Sequence, residues 1–199
     1  MTTSLPSGLR ERKKARTRAA IREHAMRLFE EQGYAATTVD QIAEAAEVSQ
    51  STFFRYFPTK EDVVLVDDWD PLIVAAVKAQ PPEVSPITAI RNGIHEVVDN
   101  LSEEDWEREK RRQRMFRETP ELMTRAMFQY TETIRLLGAA VAERAGLPPT
   151  DFAARVLAGA VIGATMAAIP GGGTGVVELA DFEGLDRAFE LLEAGLPLH

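Results

Sequence analysis

The chain of 199 residues is 45% hydrophobic and 27% charged, which suits one domain or a small domain joined to a larger one. The absence of cysteine excludes disulfides, a thiolate nucleophile and a cysteine zinc site, and the absence of a long apolar run argues against a membrane span. The net charge of −8 conceals a basic start, since residues 1–60 hold ten Lys and Arg against seven Asp and Glu, and the rest hold thirteen against twenty-four.

Residues 1–16 are expected to form a basic flexible arm. Basic side chains continue from there into the first predicted helix, opposed locally only by Glu11: Arg10, Arg12, Lys13, Lys14, Arg16, Arg18 and Arg22. A basic start on an acidic body suggests an arm near a phosphate backbone, and the alternative is a terminus that is only solvated. No apolar stretch follows these charges as it would in a secretory signal, so we expect a cytoplasmic protein.

Two helices are predicted before residue 47. Residues 17–32 carry apolar side chains on one helical face, and Gly33 then stops the helix: Ile21, Ala25, Leu28 and Phe29. Thr38 and Gln41 have the spacing of a capping box, in which each side chain bonds the backbone N–H of the other residue. The second helix therefore begins after Thr38.

A third short helix follows a tight turn. Ser49 can cap it, Phe53 and Phe57 are four residues apart and face inward, and Pro58 ends it. Two short helices joined by a turn of a few residues form a helix-turn-helix, whose second helix places its first residues against base edges in the major groove. We therefore assign residues 17–61 to a DNA-binding domain.

The third helix is polar at its start and aromatic in its middle. Its first turn carries side chains that can bond base edges, and Gln can bond adenine bidentately: Gln50, Ser51 and Thr52. Arg55 can reach a guanine or a phosphate. Tyr56 and Lys60 can bond phosphates.

The run TTVDQIAEAAEVSQSTFFRYFPTKEDVV resembles the DNA-binding head of the TetR family of bacterial regulators. The resemblance covers about the first third of the chain and implies DNA contacts at Thr38, Gln50, Ser51, Thr52, Arg55, Tyr56 and Lys60. Phe54 stands where relatives often have tyrosine, so a hydroxyl bond to phosphate is lost there. Phe54 can still pack against a thymine methyl group or a sugar.

Residues 62–199 are predicted to form a helical ligand-binding and dimerisation domain, which makes the chain all-α. Residues 62–79 read as one long helix that links the two domains. Capping signals place further helix starts near residues 85, 102 and 119, and later helices are predicted at 151–169 and 182–194. The GGGTG stretch at residues 171–175 lacks a following Gly-Lys-Ser/Thr, so it is predicted as an interhelical loop rather than a phosphate-binding loop.

The body is similar to the C-terminal domains of TetR-type regulators that sense acyl-CoA-like ligands, the mycofactocin-regulator-like subgroup. Basic residues at 107–117 lie near apolar ones, which predicts a pocket with an apolar interior and a cationic mouth. The candidate lining is Ile94, Val98, Trp106, Arg111, Arg112, Met115, Phe116 and Phe128. The alternatives are a solvated charged face, a filled core, or a pocket for an uncharged hydrophobe.

The helix at 151–169 is rich in Ala and Gly, which let another helix approach closely. The resemblance implies that the last two helices pair with those of a second copy in a four-helix bundle. The candidate dimer residues are Ala160, Gly163, Ala167, Phe189 and Leu192. The alternative is ordinary packing within one chain.

The remaining signals favour no other chemistry. His95 and Asp99 share a helical face and could supply two metal ligands, but a solvated pair is the simpler interpretation, and no metal or cofactor is expected. No nucleophile, base and orienting group converge, so we expect no enzyme. The prediction is a homodimeric repressor that a small hydrophobic or acyl-CoA-like ligand releases from a pseudo-palindromic double-stranded DNA operator. The alternative is a helical adaptor whose basic start binds protein or membrane.

Overall fold

The computed structural model describes residues 8–66, 69–169 and 181–197. These residues form helices joined by turns and contain no strand, which confirms the all-α prediction. The chain divides into two compact units, Met1–Val66 and Asp67–His199, here called the head and the body. The predicted division lay five residues earlier in the chain, after residue 61. The GGGTG stretch lies outside the described residues.

The head consists of α1 (Leu9–Gln32), α2 (Val39–Ala45), α3 (Gln50–Tyr56) and α4 (Asp62–Leu65). Each helix contributes apolar side chains to one small core, and the following are at most 2% exposed: Ile21, Ala25, Phe29, Ile42, Phe53, Phe57, Val63 and Val64. Because α2 and α3 are only seven residues long, they depend on this shared core for their stability.

Helix α1 begins at Leu9, whereas the sequence predicted a start at residue 17 behind a flexible arm. Residues 9–16 are therefore helical. They are mostly Arg, Lys, Glu, Leu and Ala, which are strong helix formers, and neither Gly nor Pro interrupts them. Lys13, Lys14 and Arg16 are exposed, so the apolar periodicity that marked the later part of α1 could not reveal this first part.

The body consists of six helices within the described ranges: α5 (Asp70–Ala79), α6 (Pro86–Asp99), α7 (Glu103–Glu118), α8 (Pro120–Arg144), α9 (Phe152–Ala168) and α10 (Asp181–Glu193). Ser85 caps α6, and Ser102 forms the predicted capping box with Asp105. Hydrogen bonding to Ser102 lowers the pKa of Asp105. Thr119 precedes α8 as predicted but makes no cap bond, because its hydroxyl donates to the Met115 sulfur, 3.6 Å away.

The single helix predicted from residue 62 to residue 79 is wrong. The chain forms α4 to Leu65, becomes extended at Val66 with ψ of 113°, and starts α5 at Asp70. Pro71 explains the break, because its ring clashes with the carbonyl four residues earlier and it has no N–H to donate. In the first turn of α5 neither defect matters, since those N–H groups have no helical partner.

In the body core, α8 packs against α9, and α5 packs against α6. Helix α10 packs against both α9 and α6. Two buried glycines mark close crossings. A Cβ at Gly93 would lie 2.9 Å from Val77 Cγ2, and a Cβ at Gly138 would lie 3.2 Å from the Arg155 Cα. No helix in the described ranges is long and apolar enough to cross a membrane.

One predicted dimer residue belongs to this core instead. Phe189 is 1% exposed and packs within its own chain, and Leu192 is a half-buried neighbour of the same cluster. Both lie on the inner face of α10, whereas Leu191 is 41% exposed. The prediction of Phe189 as an interface residue is therefore wrong. An apolar residue on an amphipathic helix faces the core of its own chain first, and the sequence does not show which helices supply that core.

Candidate nucleic-acid interface

Helix α3 has one face in the head core and one face outside. Phe53 and Phe57 are fully buried with ring centroids 6.0 Å apart, and they fix the helix from within. The outer face carries the exposed side chains of Gln50, Ser51 and Arg55. The inner aromatic residues therefore hold α3 to the core, and its polar residues face solvent.

The first turn of α3 is closed by a cluster of hydroxyl groups. Ser49 Oγ accepts the Thr52 backbone N–H at 3.1 Å, which is the predicted cap. The same oxygen donates to Thr52 Oγ1 at 3.0 Å and lies 2.9 Å from Ser51 Oγ. A hydroxyl has one donor and two acceptor sites, so Ser51 and Thr52 keep bonding capacity for an outside partner while the cap holds them in place.

Arg55 and Phe54 complete the outer face. Arg55 is exposed, and its Cζ lies 5.4 Å from the centroid of the half-buried Tyr56 ring. Phe54 is 46% exposed and its ring stands perpendicular to that of Phe53, with centroids 5.5 Å apart. The outer face therefore presents a guanidinium and an aromatic ring beside the hydroxyl cluster.

Thr38 lies at the start of α2, and its predicted capping box with Gln41 is confirmed. The Thr38 backbone N–H donates to Gln41 Oε1 at 2.8 Å, and the Gln41 N–H donates to Thr38 Oγ1 at 3.3 Å. Gln32, in the last turn of α1, adds a bond of 3.1 Å to the same Gln41 oxygen. Thr38 is exposed, as a residue that contacts DNA must be.

Lys60 lies apart from these exposed groups. Its ammonium donates to the carbonyl oxygens of Tyr34 at 2.9 Å and Thr37 at 3.0 Å, and it lies 4.1 Å from the Tyr34 ring centroid. The side chain is half-buried. A phosphate contact at Lys60 would therefore compete with interactions inside the head.

Two arginines of α1 also bind within the head. Arg18 and Arg22 place their Cζ atoms 5.0 and 5.5 Å from the Phe57 ring centroid. Arg22 donates further to the carbonyl oxygens of Val63 at 3.1 Å and Val66 at 2.9 Å, at the end of α4. These bonds satisfy carbonyls that a helix end leaves without helical partners. Sequence reasoning counted both arginines only as positive charge, because no local signal marks partners so far along the chain.

The predicted ligand residues lie mostly on α6 and α7. Met115 is 9% exposed, and the following are half-buried: Ile94, Val98, Trp106, Arg111, Arg112 and Phe116. Trp106 stacks on Trp69 with centroids 5.7 Å apart and planes 9° apart. Phe128 differs from these residues in its exposure. It is 77% exposed on α8 and lines no interior of this chain, because it falls on the outer side of an amphipathic helix.

Arg112 holds a buried carboxylate. It donates to both oxygens of Glu109, at 2.5 and 2.7 Å, and Gln113 adds a third bond at 2.8 Å. Glu109 is 7% exposed, and such a buried charge is tolerated only when its oxygens are bonded in this way. Burial raises the pKa of the nearby Tyr130, and the charge of Arg112 opposes that rise. Arg112 is therefore already paired.

His95 has Asp186, and not the Asp99 of the same helix, as its polar partner. Its Nε2 lies 2.7 Å from Asp186 Oδ1 on α10, and its ring lies 6.2 Å from the Phe182 ring. Among the described residues, no three His, Cys, Asp or Glu side chains are grouped as metal ligands would be.

A short helix capped by a hydroxyl cluster, anchored by two phenylalanines and polar on its outer side is the second helix of a helix-turn-helix, so the head is a DNA-binding domain of that class. The family model described as bacterial regulatory proteins of the tetR family matches residues 21–66, and the model described as the MftR C-terminal domain matches residues 84–197. The chain belongs to the TetR family of transcriptional regulators, and its body is a C-terminal domain of the MftR type.

Curated relatives agree with this assignment. The regulator TcmR of Streptomyces glaucescens is 40% identical over 110 residues, which are 53% of this chain and 49% of TcmR, so the chain spans about half the length of that relative. MftR of Mycobacterium tuberculosis, proposed as a mycofactocin biosynthesis regulator, is 27% identical over 79% of this chain and 80% of MftR.

Two solved structures show the same fold. A TetR-family regulator from Mesorhizobium loti has a TM-score of 0.50 at 20% identity. FadR from Thermus thermophilus, solved in complex with lauroyl-CoA, has a TM-score of 0.50 at 23% identity. Each match covers 92% of this chain and 96% of the other.

Proposed function

We propose that this regulator is a homodimeric repressor that binds a pseudo-palindromic operator through the outer face of α3 and leaves it when a small hydrophobic ligand binds the body. The observation that carries the proposal is the outer face itself. An amide, hydroxyl groups and a guanidinium are exposed on a helix whose opposite side is fully buried. These groups match the donors and acceptors of base edges in the major groove.

The roles within α3 follow from the chemistry of each side chain. Gln50 can bond adenine bidentately, and Arg55 can bond a guanine in the same way or hold a phosphate. Phe54, half exposed and without a hydroxyl, can pack against a thymine methyl group. Thr38 at the start of α2 and Tyr56 at the end of α3 contact the backbone and so position the helix without reading sequence.

Selection from a randomised pool of duplex DNA with the purified protein tests this proposal. We expect enrichment of a pseudo-palindrome whose half-sites are about 34–36 Å apart, or a multiple of that distance. Vesicles of anionic lipid serve as the comparison. Binding to vesicles without enrichment of any duplex would reject the repressor and favour an adaptor that binds membranes.

The homodimer is proposed to form on the outer face of α9. Five residues spaced three or four apart form one exposed apolar stripe on that helix, with Phe152 69% and Val156 52% exposed: Phe152, Val156, Ala160, Gly163 and Ala167. A Cβ added at Gly163 would meet nothing within 4 Å. The stripe therefore has room for a second helix, and a second copy supplies the matching stripe.

Sedimentation velocity tests the dimer. Gly163→Leu places a large side chain where two helices would meet, so we expect the dimer to dissociate. Glu121→Leu adds the same side chain at an exposed position on α8 and is the matched control. A normal dimer for Gly163→Leu would place the interface elsewhere.

The ligand is proposed to be acyl-CoA-like. Support comes from the half-buried apolar side chains of α6 and α7, from the MftR-type domain, and from the lauroyl-CoA that FadR binds within the same fold. Because Glu109 already holds Arg112, an anionic group at Arg112 must compete with that carboxylate.

Titrating acyl-CoAs of rising chain length into the protein–DNA complex tests this ligand class. Each added CH₂ should tighten binding by about 0.8 kcal/mol while the chain still gains burial. DNA must weaken ligand binding by the same factor as ligand weakens DNA binding. Affinity that is independent of chain length, or unchanged in Arg111→Ala, would reject an acyl-CoA and leave the DNA-binding proposal standing.

A further inference from the structure

Lys60 connects two turns of the head that are far apart in sequence. It lies in the turn between α3 and α4, and its ammonium bonds the carbonyls of Tyr34 and Thr37 in the turn between α1 and α2. The two turns flank the helix-turn-helix, one before α2 and one after α3. Lys60 is therefore placed to fix the start of α2 relative to the end of α3.

The turn between α1 and α2, whose carbonyls accept from Lys60, makes further contacts of its own. Thr37 is 1% exposed, and its hydroxyl donates to the Gly33 carbonyl at 2.8 Å and accepts from Gln32 at 3.1 Å. The Tyr34 ring packs on Phe29 with centroids 5.0 Å apart. Thr37 directly precedes Thr38, the cap of α2, so a displacement of the Thr37 carbonyl moves the cap.

The turn that carries Lys60 is also rigid. The Thr59 backbone N–H donates to Asp62 Oδ2 at 2.8 Å, and the Asp62 N–H donates to Thr59 Oγ1 at 3.3 Å. Val63 and Val64 follow and are fully buried. Lys60 thus extends from the hydrogen-bonded turn between α3 and α4 to the hydrogen-bonded turn between α1 and α2.

Most N–H donors of the Lys60 ammonium already bond groups within the head. Lysine has three N–H groups, and two of them meet carbonyl oxygens at ordinary hydrogen-bond distances. The face of the Tyr34 ring, 4.1 Å away, attracts the same charge. Binding a phosphate with full strength would require Lys60 to release carbonyls that the fold has enclosed.

We propose that Lys60 is a positioning residue of the DNA-binding head, which locks the α1–α2 turn to the α3–α4 turn and so aligns Thr38 and α2 with α3, rather than a phosphate ligand. The effect of this contact on DNA binding rests on the proposed function. Its effect on the structure of the head does not, because Lys60 joins the two turns in the free protein.

Amide hydrogen exchange and salt-dependent DNA binding test the proposal. Lys60→Met keeps the apolar stem and removes the ammonium, and Lys60→Arg keeps the charge on a planar group that cannot bring one nitrogen to both carbonyls. Lys14→Met removes one exposed charge from the same unit and is the exchange control. Exchange is measured at the amides of Thr38 and Gln41, and binding is measured on a random 20-base-pair duplex over a range of KCl concentrations.

We expect exchange at Thr38 and Gln41 to be about tenfold faster in Lys60→Met, faster also in Lys60→Arg, and unchanged in Lys14→Met. The slope of log affinity against log salt should stay at the wild-type value in Lys60→Met. Wild-type exchange in both Lys60 variants would overturn the proposal. A slope smaller by about 0.9 per half-site in Lys60→Met would overturn it as well, because that is the signature of a lost phosphate contact.

The proposed function can fail separately. If the wild-type protein binds no duplex, DNA binding is rejected, and the exchange rates still decide whether Lys60 locks the two turns. If Lys60→Met does not fold, the Lys60→Arg variant gives the exchange result with the charge retained.

Discussion

Helices α3 and α9 each bury one face and expose the other, but their exposed faces differ in chemistry. Each buries one face in its own unit, α3 through Phe53 and Phe57, and α9 through Ala154, Ala158 and Val161. The outer face of α3 carries hydrogen-bonding groups beside the ring of Phe54, whereas the outer face of α9 carries an apolar stripe with space at Gly163 for another backbone. Exposure alone therefore does not identify a partner. The chemistry of the exposed face does, and it favours a nucleic acid at α3 and a helix at α9.

The largest expected effect comes from removing the inner face of α3. Phe53→Ala should destabilise the head by about 3–5 kcal/mol, because it leaves a cavity in a small core. Phe54→Ala, one residue along and 46% exposed, should cost far less. Both tryptophans, Trp69 and Trp106, lie in the body, so far-UV circular dichroism and hydrogen exchange should report the loss while the tryptophan fluorescence transition stays unchanged.

An equal cost for the two phenylalanine variants would show that the division of α3 into inner and outer faces is wrong. A shift of the tryptophan transition in Phe53→Ala would show instead that the two units unfold together.

A second pair of variants compares a filled helix crossing with an open face. Gly138→Ala should destabilise the body by about 1–3 kcal/mol, since the new Cβ would lie against the backbone of α9 at Arg155. In the separated protomer, Gly163→Ala should stabilise the body by about 0.5–1 kcal/mol, because alanine is the better helix former and no atom of the same chain lies within 4 Å of the new Cβ. Urea unfolding followed by tryptophan fluorescence, at a protein concentration low enough for any dimer to dissociate, measures both.

Loss of stability in Gly163→Ala as large as in Gly138→Ala would mean that the outer face of α9 is already filled. The unpartnered stripe proposed for a second copy would then not exist.

The outer face of α3 is tested by Gln50→Ala. We expect a loss of about 1–3 kcal/mol on the selected operator if a bidentate base contact is removed. The loss on a random duplex should be much smaller, because non-specific binding depends on phosphates. Fluorescence anisotropy with both duplexes at one salt concentration measures the difference. Equal losses on the two duplexes would remove Gln50 from the residues that read bases.

The smallest expected effect concerns the hydrogen bonds that join the end of α10, which packs on α9, to the start of α6. Glu193, at the end of α10, accepts hydrogen bonds from the hydroxyls of Ser85 and Thr88, the latter at 2.7 Å, and these bonds lower its pKa. The lowered pKa means that this stabilisation is present above the unfolded value, about 4.5, and is lost as the pH falls through the folded value.

The Glu193 bonds are exposed, so the contribution should be about 0.5 kcal/mol or less. Body unfolding of the wild-type protein and Glu193→Gln at neutral pH and at pH below the folded pKa measures it. The two proteins should differ at neutral pH and converge in acid. A difference that persists in acid would mean that the carboxylate charge is not responsible.

The features that could be predicted from the sequence depend on residues close in the chain. The caps at Thr38, Ser49 and Ser102 bond groups only three residues away, so residue type and spacing were enough to place the starts of α2, α3 and α7. Pro71 is equally local, but the prediction of one helix over residues 62–79 did not take it into account, and the structure ends α4 at Leu65 and places Pro71 in the first turn of α5.

Only the tertiary structure decided which partner each charge takes and which face each helix buries. Lys60 bonds Tyr34, 26 residues away, and Arg144 bonds the Val77 carbonyl, 67 residues away, at the end of α5. Phe189 faces the core and Leu191 does not, because α9 and α6 pack on one side of α10. A cap acts within one turn of a helix, so the sequence by itself determined several helix starts and the helix-turn-helix motif. The use of each side chain depends on residues that meet only when the helices pack.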